Sequence, residues 1–153
     1  MKKLFFFLCL LGFYSCAGYE PVLSSKNLSF YIGEIININN DRITKSVSKN
    51  LNNNKLKINN KQKYILKITS NKEDVITSKD SNGNALTFEI IITVNVDVFV
   101  DDSDKSISTL KFNKTFSYNN QKNNLNMSRY KKTIEENIIN KISQDLVVEL
   151  QAL

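Results

Sequence analysis

The sequence predicts an α+β fold, a two-layer sandwich in which two helices cover a four-stranded, mainly antiparallel sheet in the order β-α-β-β-β-α. Three observations carry this. In Leu86 to Val100 every even position is apolar, while the odd positions are mostly polar, among them Thr87, Glu89, Thr93, Asn95 and Asp97. Period two gives a strand one buried and one wet face. Two further runs alternate on either side of it, at Tyr64, Leu66 and Ile68 and at Leu110, Phe112, Phe116 and Tyr118. Finally, Met127, Tyr130, Ile134, Ile138, Ile142 and Leu146 recur at helical spacing near the end, with Ile139 at the edge of the stripe.

Taken in order, the first strand covers 27–38. Leu28, Phe30 and Ile32 alternate there, and Gly33 is a candidate bulge because Ile35 and Ile36 resume on a shifted phase. Asn39, Asn40 and Asp41 offer N-cap oxygens to a short helix whose stripe is Ile43, Val47 and Leu51. The run Asn52-Asn53-Asn54 ends it, and Leu56 and Ile58 lie in a polar connection. The second strand starts near Tyr64 and regains strand character at Val75 and Ile76. A turn over 79–84 contains Asn82-Gly83, a pair that tolerates the left-handed backbone of a tight hairpin.

The long strand 86–100 would span about 50 Å at 3.3 Å per residue, so a bend or bulge is expected within it. Asp101-Asp102-Ser103-Asp104-Lys105 is a second polar turn. A strand over 107–118 follows, with Lys111, Asn113 and Thr115 on its wet face, and Lys114 interrupting the apolar one predicts a kink or an exposed end. These three strands form an antiparallel meander. Residues 119–124 are a polar linker, and Asn126 or Ser128 is the expected cap of the last helix. Val147, Val148 and Leu150 make its tail apolar all round.

Composition narrows the function. With 153 residues, the chain suits one domain. It has no histidine, which removes the commonest general base. It has no Gly-rich phosphate loop, and its two cysteines both fall in the first 16 residues. Asp101-Asp102-Ser103-Asp104 lacks the length and spacing of a calcium loop and reads as a hairpin tip. Glu135-Glu136 reads as the polar side of a helix. The chain is therefore expected not to be an enzyme and to need no metal or cofactor. The net charge of +6 is not gathered on one helix with interleaved aromatics, so no nucleic acid is expected as partner.

The N-terminus is an address. Lys2 and Lys3 precede an uncharged run, Leu4 to Tyr14, too short to span a bilayer as a helix. It ends in Phe13-Tyr14-Ser15-Cys16-Ala17, where a small residue before cysteine resembles a bacterial lipobox, although Phe13 and Tyr14 are bulkier than is usual there. The resemblance implies cleavage before Cys16, S-diacylglycerol on its thiol and an acyl group on the new amine. The competing reading is ordinary cleavage after Ala17. The division expected is a lipoprotein signal over 1–15, a lipidated extended lead-in over 16–26 containing Pro21, and a single α+β domain over 27–153. The mature chain would carry 153 − 15 = 138 residues and a charge of (21 − 2) − 15 = +4. Ala17 after the cysteine, where aspartate would suggest inner-membrane retention, favours the outer membrane by the same resemblance.

Three features together resemble the LPS-assembly lipoprotein LptE family. They are the start Cys16-Ala17-Gly18-Tyr19-Glu20-Pro21-Val22, with Ala17 inserted between Cys16 and Gly18, the element order, and the Tyr-x-x-x-Ile helix entry within Leu125 to Ile134. The resemblance implies two helices on a four-stranded sheet. It implies an outer-membrane, periplasm-facing lipoprotein that plugs the lumen of a large β-barrel, LptD, and helps insert lipopolysaccharide into the outer leaflet. The wet sheet face suits a polar barrel lumen. Lys67, Lys72, Lys79, Lys111 and Lys114 lie on or beside the strands, where ammonium groups can meet phosphates. A solvated strand face is the favoured reading of each, and no lysine is assigned as a lipopolysaccharide site. The alternative function is a generic periplasm-facing lipoprotein that binds a ligand or scaffolds another envelope complex.

Overall fold

The computed structural model describes residues 28–52, 61–100, 103–120 and 124–153. The element order is β1 (Phe30–Asn37), α1 (Arg42–Asn52), β2 (Gln62–Lys79), β3 (Ala85–Val100), β4 (Ser108–Asn119) and α2 (Asn124–Gln151). This is the predicted β-α-β-β-β-α order. Cys16, the signal, the lead-in, Leu56, Ile58, Asp101 and Asp102 lie outside the described residues.

The strands lie in the order β1-β2-β3-β4. β2, β3 and β4 form the expected antiparallel meander, whereas β1 pairs with β2 in parallel. A parallel pair needs a crossover, and α1 supplies it. The sheet is thus mixed.

Register explains the alternation. Ile32 pairs with Tyr64 and Glu34 with Ile65, so Gly33 is the extra residue of a β-bulge. The bulge moves the inward phase of β1 from Phe30 and Ile32 to Ile35 and Asn37. The register between β2 and β3 slips twice, both times beside the turn, where Thr77 and then Leu86 are left over. That places the irregularity expected in the long strand at its first residues. Gly83 has φ +84°, which a residue with a Cβ adopts only under strain.

α1 begins where the sequence places it. Asp41 Oδ1 accepts from the Thr44 N–H at 2.7 Å, a capping bond to the third helical position. Ile43, Val47 and Leu51 bury one stripe. In α2, Ile134, Ile138, Ile139, Ile142 and Leu146 are buried, as are Val147 and Leu150 of the tail, while Val148 is exposed. The two helices cover one sheet face and share one core with Leu66, Ile68, Ile90, Ile92, Val94, Val96 and Val98, each of these seven fully buried.

Several expectations need correction. α2 starts at Asn124, so Asn126 and Ser128 lie within its first turns and are not its cap. Tyr130 is exposed, because the N-terminal turns of α2 meet the sheet only at its rim, edge-on to Tyr118 at 6.2 Å. Leu86 is also exposed, at the far end of a hairpin that outruns the helices. Lys114 causes no kink: β4 keeps its register on β3 from Ser108 to Asn119. Its ammonium is instead satisfied by Asp145 of α2 at 2.8 Å.

Candidate docking surface

The helix-free face of the sheet is built from the residues that alternate out of the core. Across β2, β3 and β4 the register sets Thr69, Asn95 and Lys111 in one row and Asn71, Thr93 and Asn113 in the next. Side chains bond across the strands, Thr109 Oγ1 donating to Asp97 Oδ1 at 2.7 Å and Ser117 Oγ to Glu89 Oε2 at 3.3 Å. Small hydroxyls and amides in cross-strand rows give a polar surface that keeps hydrogen-bonding capacity. Apolar side chains also lie on this face, Ile65, Ile91 and Phe99 among them, and Phe99 is buried beneath Lys67, whose Nζ lies 4.5 Å from the ring centroid.

A second surface projects from the body. Pairing of β1 with β2 ends at Asn37 and Ile68, followed by one bond from Ile38 N–H to Ile68 O at 2.9 Å. The Asn39 amide then extends the ladder by one step, donating to Ser70 O at 2.6 Å and accepting from Ser70 N–H at 3.1 Å. Beyond Ser70 the β2–β3 hairpin continues without β1, and Val75, Ile76 and Leu86 are exposed on it.

A charged seam braces the base of this arm. Glu135 is buried and pairs with Arg42 of α1 and Lys72 of β2. Lys72 also meets Asp74 at 3.3 Å, and Asp74 meets Lys131 at 3.9 Å. Lys131 Nζ in turn lies 5.4 Å and 5.6 Å from the ring centroids of Phe88 and Tyr118. Charge alternates along this chain of contacts, so each carboxylate sits between cations. The expectation that Glu135-Glu136 is simply a polar helix face is therefore corrected: Glu136 is exposed, and Glu135 is an internal brace.

The five strand lysines separate. Lys72 and Lys114 are held in ion pairs, and Lys67 covers Phe99. Lys79 and Lys111 are exposed and carry no ion pair among the described residues. The structure does not bring the five together. Asp145 has its pKa lowered, first by a hydrogen bond from Lys114 and then by one from Lys141. At the hairpin tip the Asp80 carboxyl is lowered by the Asn84 side chain and backbone. Tyr64 is raised by burial. Among the described residues no three His, Cys, Asp or Glu side chains converge as metal ligands, and no helix is long and apolar enough to cross a membrane. These surfaces suit docking against another macromolecule.

Comparison with known proteins gives a family. A family model named LptE and described as lipopolysaccharide-assembly matches residues 29–150. Among curated proteins, none matches the sequence. Among solved structures, the chain is similar to rare lipoprotein B from Shewanella oneidensis, with 20% identity, TM-score 0.59, and coverage of 80% of this chain and 93% of that one. It is similar to lipoprotein B from Nitrosomonas europaea, with 13% identity, TM-score 0.60, and coverage of 88% and 91%. A minor lipoprotein from Acinetobacter baumannii gives 13% identity, TM-score 0.57, and coverage of 82% and 92%. At these identities the structural likeness establishes the fold.

Proposed function

The chain belongs to the LptE family of lipopolysaccharide-assembly proteins, and on that premise we propose that it is an outer-membrane lipoprotein that plugs an LptD-type β-barrel and helps insert lipopolysaccharide into the outer leaflet. The observation that carries this reading is the family match across nearly all of the folded domain. The helix-free sheet face supports it. A barrel lumen is lined with polar groups, and the rows of Thr, Asn and Ser present hydrogen-bonding partners across the middle of the face.

The anchor in this reading is Cys16, carrying S-diacylglycerol and an N-acyl group. Several acyl chains hold a protein stably at a membrane where one holds it only marginally. Anchored there, the domain stands on the periplasmic side, with its sheet able to enter the lumen. Lipopolysaccharide phosphates would meet exposed ammonium groups such as those of Lys79 and Lys111.

The test is a pull-down of the intact lipoprotein from detergent-solubilised envelopes, with mass-spectrometric identification of what it retains. A large heat-modifiable barrel in stoichiometric amount is the expected result. Depletion should leave lipopolysaccharide short of the cell surface. Normal surface lipopolysaccharide after depletion, with no barrel retained, would overturn the reading in favour of a scaffold for another envelope complex.

A further inference from the structure

We propose that the free edge of β4, with the groove between it and α2, is a strand-addition site for an extended segment of a partner polypeptide whose groove-side residues read apolar–acidic–apolar at alternate positions. This stands on the geometry of β4 and α2 and does not depend on the lipopolysaccharide reading.

The backbone comes first. Among the described residues β4 is the last strand of the sheet. Asn120 N–H donates to Leu86 O at 2.7 Å, and the register pairs Thr87 with Asn119 through Val98 with Ser108 without a slip. In an antiparallel ladder the paired groups alternate. The even residues of β4 therefore turn their N–H and C=O groups towards β3, and Thr109, Lys111, Asn113, Thr115 and Ser117 turn theirs outward. Exposed edges are ordinarily blunted by proline, bulges, short length or lysine, and of these β4 carries only the lysines Lys111 and Lys114. This edge is twelve residues long and has neither proline nor register slip. A row of outward amides and carbonyls at strand spacing is matched by another extended backbone and by no lipid chain.

The side chains then select the occupant. Two grooves run along the edge beneath α2. One of about 340 Å³ is lined mainly by Phe116, Tyr130, Ile134 and Ile138, and its surface is largely apolar. The other, of about 520 Å³, lies between Leu110, Phe112, Val148 and Glu149. Phe116 is 42% exposed, Tyr130 39% and Val148 55%, so each groove offers apolar surface at these side chains, the smaller one mostly so and the larger one set among polar groups. Lys114 and Asp145 sit between the two ends. Residues two apart on one strand face are about 6.6 Å apart. An added strand thus sets successive groove-side residues opposite Phe112, Lys114 and Phe116. Asp145 is shared by two ammonium groups, Lys114 at 2.8 Å and Lys141 at 3.0 Å. The charged groups lining the two grooves are Lys111, Lys114 and Lys141 against Asp145 and Glu149, which leaves one positive charge in excess, and the middle residue of the occupant is accordingly acidic. A second copy of this chain fits less well, since pairing across a two-fold at Lys114 sets ammonium against ammonium.

The test uses the folded protein and a synthetic strand, acetyl-Thr-Leu-Thr-Glu-Thr-Leu-Thr-amide, with acetyl-Leu-Leu-Glu-Thr-Thr-Thr-Thr-amide as the scrambled control. NMR titration should show saturable shifts along β4 and slowed exchange of the Lys111, Asn113 and Thr115 amides with the first peptide only. Thr115→Pro removes an outward N–H while sparing the β3 ladder, and should weaken binding at least tenfold. Phe116→Lys, at an exposed position, should do the same through the groove. Replacing the peptide's Glu by Gln should weaken binding to the parent and not to Lys114→Gln. Equal binding of the scrambled peptide, indifference to Thr115→Pro, or no saturable effect would overturn the proposal. So would concentration-dependent self-association through β4, which would assign the edge to a second copy.

Discussion

The Glu135 carboxylate on α2 is salt-bridged to the Lys72 ammonium on β2, a contact between residues 63 apart in sequence. Arg42 approaches the same carboxylate from the start of α1. The environments are unequal: the Glu135 side chain is 6% exposed, against 29% for Lys72 and 52% for Arg42. Removing the acid leaves two cations that can reach water. Removing both cations strands a buried carboxylate without a counter-charge. Glu135→Gln should therefore cost about 1–2 kcal/mol, and Arg42→Ala combined with Lys72→Ala about 3–5 kcal/mol, in urea unfolding. Equal costs would show that water reaches Glu135 in the folded protein.

That brace marks the limit of what sequence periodicity can reveal. The helix stripes, the Asp41 cap, the Gly33 bulge and the Asn82-Gly83 turn are local, and each could be read from a few neighbouring residues. Lys114 and Glu135 could not. Each is a charge set against an apolar pattern, and its partner, Asp145 or Lys72, lies far away in sequence. The exposure of Leu86 and Tyr130 is not legible in the sequence for a related reason: alternation predicts which way a side chain points and not how far its cover extends. The parallel pairing of β1 with β2 depends on where α1 returns the chain, which no strand pattern encodes. The edge of β4 was legible only as a wet strand face, because the groove beside it exists only once α2 is laid alongside.

Val94 tests the core directly. It is fully buried at the centre of β3, opposite Ser70 on one side and Phe112 on the other. Val94→Asp places a carboxylate at a fully buried position with no cation directly opposite it in either register pair. The expected cost is more than 4 kcal/mol, enough to leave a domain of ordinary stability unfolded. Far-UV circular dichroism should show loss of cooperative melting. A variant that melts like the parent would mean that the even face of β3 is not packed against the helices.

Asp145 predicts the response to acid. Its folded-state pKa is held below the usual carboxylate value of 3.8, first by Lys114 and then by Lys141. A depressed pKa means the unfolded chain takes up the proton first as pH falls. The contribution is therefore fully present above about pH 4–5 and lost as pH drops through the folded value. Because the side chain is 26% exposed, the contribution at neutral pH is about 0.5–1 kcal/mol. Asp145→Asn should lower stability by that amount at pH 7 and leave it unchanged near pH 2. A constant difference between the two proteins across this range would remove Asp145 as an acid-sensitive group.

Cys16 tests the anchor independently of the fold, since it precedes the domain that begins at β1. If the thiol carries diacylglycerol and the amine an acyl group, a fatty-acid probe should label the parent, and the label should travel with the outer-membrane fraction. Cys16→Ala removes the lipobox thiol that would form the thioether and with it the substrate for the later acylation. Labelling should vanish, and material that is still processed should partition into the soluble fraction with its domain folded. Labelling that persists in Cys16→Ala would place the lipid elsewhere. An unlabelled parent cut after Ala17 would instead show that the leader is an ordinary secretory signal, leaving any association with the envelope to the domain's own docking surfaces.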